Sequence, residues 1–252
     1  MNPDETRKRV DLLHSYLADE RARIENLRIV GVTKEETPEV YDTFMEYTTK
    51  AYASEKSPLE LSFIPIHPGD ILSYGGYHFE VKLLKGHTFG QCGLYEPEKK
   101  LMFVGDQLMT TIVPIVGTQE TDLGMLKCYL DSLGDLKHNY KDCYFLPCHY
   151  GEIRNVEKEV NRIILGYLEK CEIMKHVLEE AGTALTTRDI GVRTYGRSQG
   201  PPDYAHFASC TYIWAKTFSC MEYMMGEGFV ERSERDGIIY WKAPSIHFEN
   251  NR

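Results

Sequence analysis

No window of the 252 residues approaches 18 consecutive apolar side chains, so no segment reads as a membrane-spanning helix. The first ten residues, MNPDETRKRV, carry charges with no apolar stretch behind them, which argues against a secretory signal. Cations are in short supply. There are 29 Lys plus Arg against 38 Asp plus Glu, a net charge of −9, the opposite of what neutralising nucleic-acid phosphates needs. No Walker-type or Gly-x-Gly-x-x-Gly run occurs, which excludes P-loop and Rossmann readings. No two of the nine histidines stand one residue apart. The seven cysteines are an odd, scattered set in a chain long enough to bury a core without staples. Reduced thiols and a cytoplasmic protein are the expectation.

What is present is a globular composition: 42% hydrophobic and 27% charged. Asn2, Pro3 and the acidic pair after them predict a helix running to about Ser15–Asp19, with Val10, Leu13 and Leu17 at helical spacing. From Glu20 to Arg28 the apolar residues become sparse. Thr37 and Pro38 predict a second helix start, with Val40, Phe44, Tyr47 and Ala51 as its stripe and an end before Lys56. The period then changes. Ile71 to Tyr74, Gly75-Gly76 and Tyr77 to Leu84 read as a hairpin, with Phe79, Val81 and Leu83 on the buried side. Strands follow at Gln91 to Tyr95 and Leu101 to Val104, with Glu96-Pro97-Glu98-Lys99 as the turn.

An apolar loop over 110–120 leads to a helix capped by Thr121 or Asp122. Cys143 to Leu146 reads as a buried strand, and Asn155 starts a long helix that ends near Gly182. Beyond it come a short helix at Thr187 to Val192, a loop at 195–202, an apolar helix from Phe207 to Gly226, and two strands that turn at Arg235-Asp236-Gly237. That order is the order of a winged helix. A boundary near 152–157 divides the chain into 1–155 and 156–252.

Three places share one layout: Lys85-Gly86-His87-Thr88, Val104-Gly105-Asp106 and Pro147-Cys148-His149. In each, an apolar strand ends, a small or rigid residue bends the backbone, and a metal-type ligand follows. Imidazole and carboxylate together suit zinc, iron or manganese. The bland alternatives are a hydrogen-bonded structural histidine and a turn-forming aspartate. The other histidines, at 14, 67, 78, 138, 176, 206 and 247, have no partner motif and read as surface or core. Cys143 and Cys148 are five apart, wider than zinc-knuckle spacing. Cys92, Cys128, Cys171, Cys210 and Cys220 read as small buried hydrophobes, and Met221, Met224 and Met225 as core.

The run from Lys85 to Tyr95, Lys85-Gly86-His87-Thr88-Phe89-Gly90 at its head, together with Lys100 to Asp106 and Pro147-Cys148-His149, resembles the second half of a metallo-β-lactamase-fold domain. The resemblance implies an α/β fold, an αββα sandwich, followed by the helical winged-helix-like segment of one hydrolase branch. It implies that His87 is the last histidine of the first metal site, Asp106 the bridging carboxylate and His149 the distal histidine of the second. The cofactor implied is one or two divalent metals, zinc first, with iron or manganese as alternatives. The reaction implied is attack of metal-activated water on an ester, thioester or similar bond of a small-molecule substrate.

The family's first motif, His-x-His-x-Asp-His, does not occur in these 252 residues. The sandwich is therefore expected to be N-terminally incomplete, with three of the usual seven ligand positions, weak metal binding and poor hydrolysis. Loss of the first strands would leave an open sheet edge, so a homo-oligomer or another chain covering that edge is expected. Two other readings stand beside the hydrolase. One is a non-catalytic scaffold or partner protein with a degenerate metal site. The other is a winged-helix DNA-binding regulator, for which Arg188, Arg193 and Arg197 speak. The helix that would read DNA carries only Lys216 as a cation, opposed by Glu222, and its aromatics suit packing instead.

Overall fold

In a computed structural model of the chain, residues 20–53, 64–117, 124–196 and 204–244 are described. The helix expected before Asp19, the cap at Thr121 or Asp122, and the part of the expected 195–202 loop from residue 197 on lie outside them; Tyr195 still belongs to a helix. The Glu20–Arg28 stretch is helical despite its charges: α1 spans Glu20–Ile29. Buried Leu27 anchors it in a small cluster with Val32, Val40 and Trp214. The second helix, α2, covers Pro38–Ala53. Thr37 does not cap it as expected. Its hydroxyl donates to the Thr33 carbonyl at 2.8 Å and accepts from the Thr33 N–H at 3.0 Å, so it closes the preceding turn.

Four antiparallel strands follow: β1 (Ile71–Tyr74), β2 (Tyr77–Leu83), β3 (Cys92–Glu96) and β4 (Leu101–Gly105). Gly75 and Gly76 both hold positive φ, +58° and +83°, as a two-residue hairpin turn requires. The helix α3 (Met125–Asn139) then crosses over to β5 (Tyr144–Pro147), which pairs parallel with β4. The resulting sheet has the order β1-β2-β3-β4-β5. Gly124, left-handed and with no side-chain cap bond, precedes α3.

The register sorts the sheet into two faces. Tyr95, Met102 and Phe145 are cross-strand neighbours on one face. Met102 and Phe145 are fully buried there with Tyr129, Leu133 and Leu136 of α3. Phe79, Val81, Leu94, Phe103 and Leu146 lie on the other face. Val81 is fully buried, but Leu83 and Phe103 are each 41% exposed. The expected buried alternation of β2 thus fails at Leu83, at the strand's end.

Asn155 caps α4 (Val156–Ala181) by accepting from the Lys158 N–H at 2.9 Å, and left-handed Gly182 ends it. Then come β6 (Leu185–Thr186), α5 (Thr187–Tyr195), α6 (Tyr204–Gly226), β7 (Glu231–Arg235) and β8 (Ile238–Lys242), with a three-stranded sheet in the order β6-β8-β7. In α6, Trp214, Phe218, Cys220, Met221 and Met224 are buried. Lys216 lies 4.6 Å over the Tyr167 ring. Arg188 is only 6% exposed and pairs with Asp189 at 3.2 Å. One continuous buried cluster runs from Leu84 and Met102 through α3 and α4 to Phe218 and Trp241, so the expected boundary at 155/156 falls where α4 enters a shared core. Cys143, Cys171 and Cys220 are buried, whereas Cys92 and Cys128 are only half-buried.

Candidate metal centre

The strand directions explain why three ligand-type residues meet. Two antiparallel pairings, β2 with β3 and β3 with β4, point β2 and β4 the same way, and β5 is parallel to β4. The C-terminal ends of all three strands therefore share one edge of the sheet. His87, Asp106 and His149 each follow one of those ends. Loops beyond the carboxyl ends of strands are where layered α/β folds place their sites.

Two glycines let the backbone make these turns. Gly86 has φ +149° and presses against α3: a Cβ there would stand 2.3 Å from Tyr129 Cδ2 and 2.7 Å from Tyr129 Cα. Gly105 has φ +57° and sits where the β4–β5 register shifts. Its carbonyl accepts from the Cys148 N–H at 3.1 Å, which ties the Asp106 turn to the His149 turn.

His87 Nε2 stands 3.7 Å from Asp106 Oδ2, and His149 Nε2 stands 3.5 Å from Asp106 Oδ1. The side chains of His87 and Asp106 are 28% and 27% exposed, and His149 is 60% exposed, so the cluster opens to solvent on the His149 side. The three residues singled out by sequence thus converge. They do not form one three-donor cage, and among the described residues no group of three or more His, Cys, Asp or Glu is arranged to hold a metal ion. The geometry is instead one imidazole on each oxygen of a single carboxylate.

Two observations bear on what this arrangement is for. His87 Nδ1 lies 2.7 Å from the Ile115 carbonyl. A carbonyl can only accept, so Nδ1 carries the hydrogen, and in the neutral ring Nε2 turns its lone pair toward Asp106. Asp106 Oδ1 is buried and has no hydrogen-bond partner. A lone pair facing a carboxylate, and a carboxylate oxygen without a donor, are both unfavourable until a cation or proton comes between them. Two donors on one tetrahedral cation at about 2.0–2.2 Å stand about 3.3–3.6 Å apart, close to the separations found. The donor chemistry fits a divalent metal.

Sequence reasoning missed the residues that hold the ligands in place. Gln107 is fully buried. Its amide donates to the Lys85 carbonyl at 3.0 Å and to Ser132 Oγ at 2.9 Å, while its backbone carbonyl accepts from the Tyr129 hydroxyl at 2.8 Å. It therefore binds the His87 turn, the Asp106 turn and α3 together. Burial pushes the Tyr129 phenol far above its usual range, so it stays a neutral donor. A polar residue directly after Gly-Asp was the available signal. The spacing Gly-x-Ser-x-Gly also occurs once, at 196–200. It follows a helix, α5, whose C-cap is Gly196, whereas a nucleophile elbow follows a strand.

No family model matches the chain. The structure is similar to a β-lactamase domain protein of Burkholderia ambifaria, with a TM-score of 0.72 and 19% identity over 92% of this chain and 63% of that one. The chain has the metallo-β-lactamase fold. A second likeness with that fold is to a metallo-beta-lactamase family protein of Thermus thermophilus, with a TM-score of 0.61 and 20% identity over 81% of this chain and 66% of that one. A stretch of 40 residues, 16% of this chain, is 50% identical to hydroxyacylglutathione hydrolase GloC of Haemophilus influenzae and covers 19% of that protein. The chain thus spans less than two thirds of the length of each of these three proteins.

Proposed function

We propose that His87, Asp106 and His149 are part of the metal centre of a metal-dependent hydrolase. His87 and Asp106 would hold one divalent cation, zinc before iron or manganese, and His149 with the same Asp106 would hold a second where two are bound. When bound, the metal supplies a water of lowered pKa as nucleophile against an ester, thioester or similar bond. The carrying observation is that the two imidazoles address opposite oxygens of one carboxylate, one of which is buried without a donor. The short likeness to GloC favours a hydroxyacylglutathione thioester as the first substrate to try.

Among the described residues each position has two protein donors, against the three or four of ordinary zinc sites. The 252 residues alone therefore bind metal reversibly and turn over slowly. The winged-helix-like segment, 156–252, is read as a support for the loop behind the site and not as a DNA reader: Ala215 of α6 sits so close to Gly117, two residues after Ile115, that a Cβ on that glycine would come within 2.6 Å of it. Among the described residues no helix is long and apolar enough to cross a membrane. A cytoplasmic location is proposed from the odd, scattered cysteine set of the sequence.

Equilibrium dialysis with zinc, followed by metal analysis, tests the proposal. The wild-type chain takes up zinc with a measurable but modest affinity, and Asp106→Asn loses most of it because both positions share that carboxylate. No uptake, or uptake that Asp106→Asn leaves intact, refutes the site. Stoichiometric zinc that survives dialysis against chelator refutes the incomplete-site reading.

A further inference from the structure

The loop that holds His87 is itself held from α4. Tyr167, fully buried, donates its hydroxyl to the Pro114 carbonyl at 2.6 Å and accepts the Val116 N–H at 2.9 Å. These are the two residues on either side of Ile115, whose carbonyl takes the His87 Nδ1 hydrogen at 2.7 Å. One phenol thus brackets one residue, and its bond to the Val116 N–H fixes the peptide plane that carries the Ile115 carbonyl. Arg162, one turn earlier on α4, pins the start of the same loop. Its Nη2 donates to the Met109 carbonyl at 2.6 Å and to the Ile112 carbonyl at 3.2 Å. The Tyr167 ring is seated edge-on against Tyr129, with centroids 5.9 Å apart, under the Lys216 ammonium.

We infer that Tyr167 is a positioning residue for the metal centre: through Ile115 it sets which nitrogen of His87 carries the hydrogen and keeps Nε2 free toward Asp106. This rests on the metal reading above, since a free Nε2 matters only if a cation uses it. The chain of contacts is contiguous and directional. A tyrosine hydroxyl is one of the few side-chain groups that can donate to one residue and accept from another two positions on. Burial raises the phenol well above its usual range, so it is a neutral donor at neutral pH. The tie also explains why the apolar loop 110–117 has a defined course although it has no secondary structure of its own.

The test is long-range 1H–15N spectroscopy of the metal-free chain at mildly alkaline pH, with the His87 signals assigned by His87→Gln. The wild-type imidazole carries its hydrogen on Nδ1, with Nε2 unprotonated. Tyr167→Phe releases the Ile115 carbonyl, so the spectrum shifts to a mixture of both tautomers, and zinc affinity falls about tenfold, the low end of losses from outer-shell changes. Leu178→Ala, three turns further along α4 and equally buried, controls for general loosening. It leaves the His87 tautomer as in wild type. A wild-type His87 protonated on Nε2 overturns the inference even if Tyr167→Phe fails to fold. So does a Tyr167→Phe spectrum identical to wild type, or one that Leu178→Ala reproduces. A tautomer shift in a chain that takes up no zinc sinks the metal reading and leaves the positioning of His87 intact.

Discussion

Gly86 and Gly105 both precede a ligand, and both hold positive φ, yet alanine should cost very different amounts at the two. At Gly105 the φ of +57° is left-handed, worth about 1–2 kcal/mol for a residue with a Cβ. The nearest obstacle is the Gln91 amide nitrogen at 3.1 Å, the far end of a flexible side chain that donates to the Val104 carbonyl at 2.9 Å and need give by only a few tenths of an ångström. At Gly86 the φ of +149° carries about 1–3 kcal/mol of strain. The new methyl would also overlap Tyr129 at Cδ2, Cβ and the backbone Cα, all within 2.7 Å. Tyr129 cannot swing away, because it is fully buried and its hydroxyl is committed to the Gln107 carbonyl. Overpacking of that kind adds about 1–3 kcal/mol. Gly86→Ala is therefore expected to lose about 2–6 kcal/mol and Gly105→Ala about 1–2 kcal/mol. Urea unfolding followed by circular dichroism reads both, with unchanged slopes showing that the native and unfolded states are otherwise comparable. If Gly86→Ala costs no more than Gly105→Ala, the contact between the His87 turn and α3 is not what shapes the site.

Gln107→Met keeps the volume but leaves the Lys85 carbonyl and Ser132 Oγ without their donor; a loss of about 1–3 kcal/mol in the same assay is expected, and a neutral outcome would show that the two turns hold each other without it. Lys216 is held below its usual range, chiefly by burial, so its charged form is disfavoured in the folded state; Lys216→Met should stabilise the protein at neutral pH, with a gain that fades as pH rises through the depressed value toward 10.5, and a gain that grows with pH would show the sign to be wrong. The expected homo-oligomer, or another chain covering the open sheet edge, is proposed; light scattering should show association of the purified chain, and a monodisperse monomer would count against this.

Local signals carried the elements well where chemistry and geometry coincide. Gly75-Gly76 places the hairpin to the residue, because the two-residue turns that join strands in that register need positive φ, which glycine supplies without strain. Asn155 and Gly182 bracket α4 because a capping carboxamide and a left-handed glycine are the physical ends of a helix. Asp106 could be found because a ligand after a strand-ending glycine is a local pattern. What holds the ligands was hidden because it is not local. Ile115 acts through its backbone, which leaves no trace in side-chain identity. Tyr167 lies 51 residues from Val116 and reads, by spacing alone, as one more core aromatic on a helix. Leu83 obeys the strand's alternation and still faces water, since burial depends on what lies across the sheet and not on period.

The same non-local ties argue against treating residues 1–155 as able to stand alone. The helix α4 begins at that boundary, and Val156, Val160, Ile163, Tyr167, Met174 and Leu178 are all at most 2% exposed in the cluster that also holds Met102, Tyr129 and Phe145. Burying six such side chains contributes about 9–18 kcal/mol, at about 1.5–3 kcal/mol each. Even half of that, if only half of each surface faces the sheet and α3, is comparable with the whole net stability of a domain, about 5–15 kcal/mol. The 1–155 fragment would also lose both hydroxyl ties around Ile115 and the Arg162 bonds to Met109 and Ile112, so the loop that orients His87 would have no anchor. The fragment is expected to show no cooperative urea transition and to expose apolar surface to a hydrophobic dye. Adding residues 156–181 should restore a transition before any of β6–β8 is present, because the contacts at stake belong to α4. A fragment ending at 155 that unfolds cooperatively, with native-like amide protection in β2 to β5, would show that the sheet and α3 are a self-sufficient unit and that α4 merely rests on it.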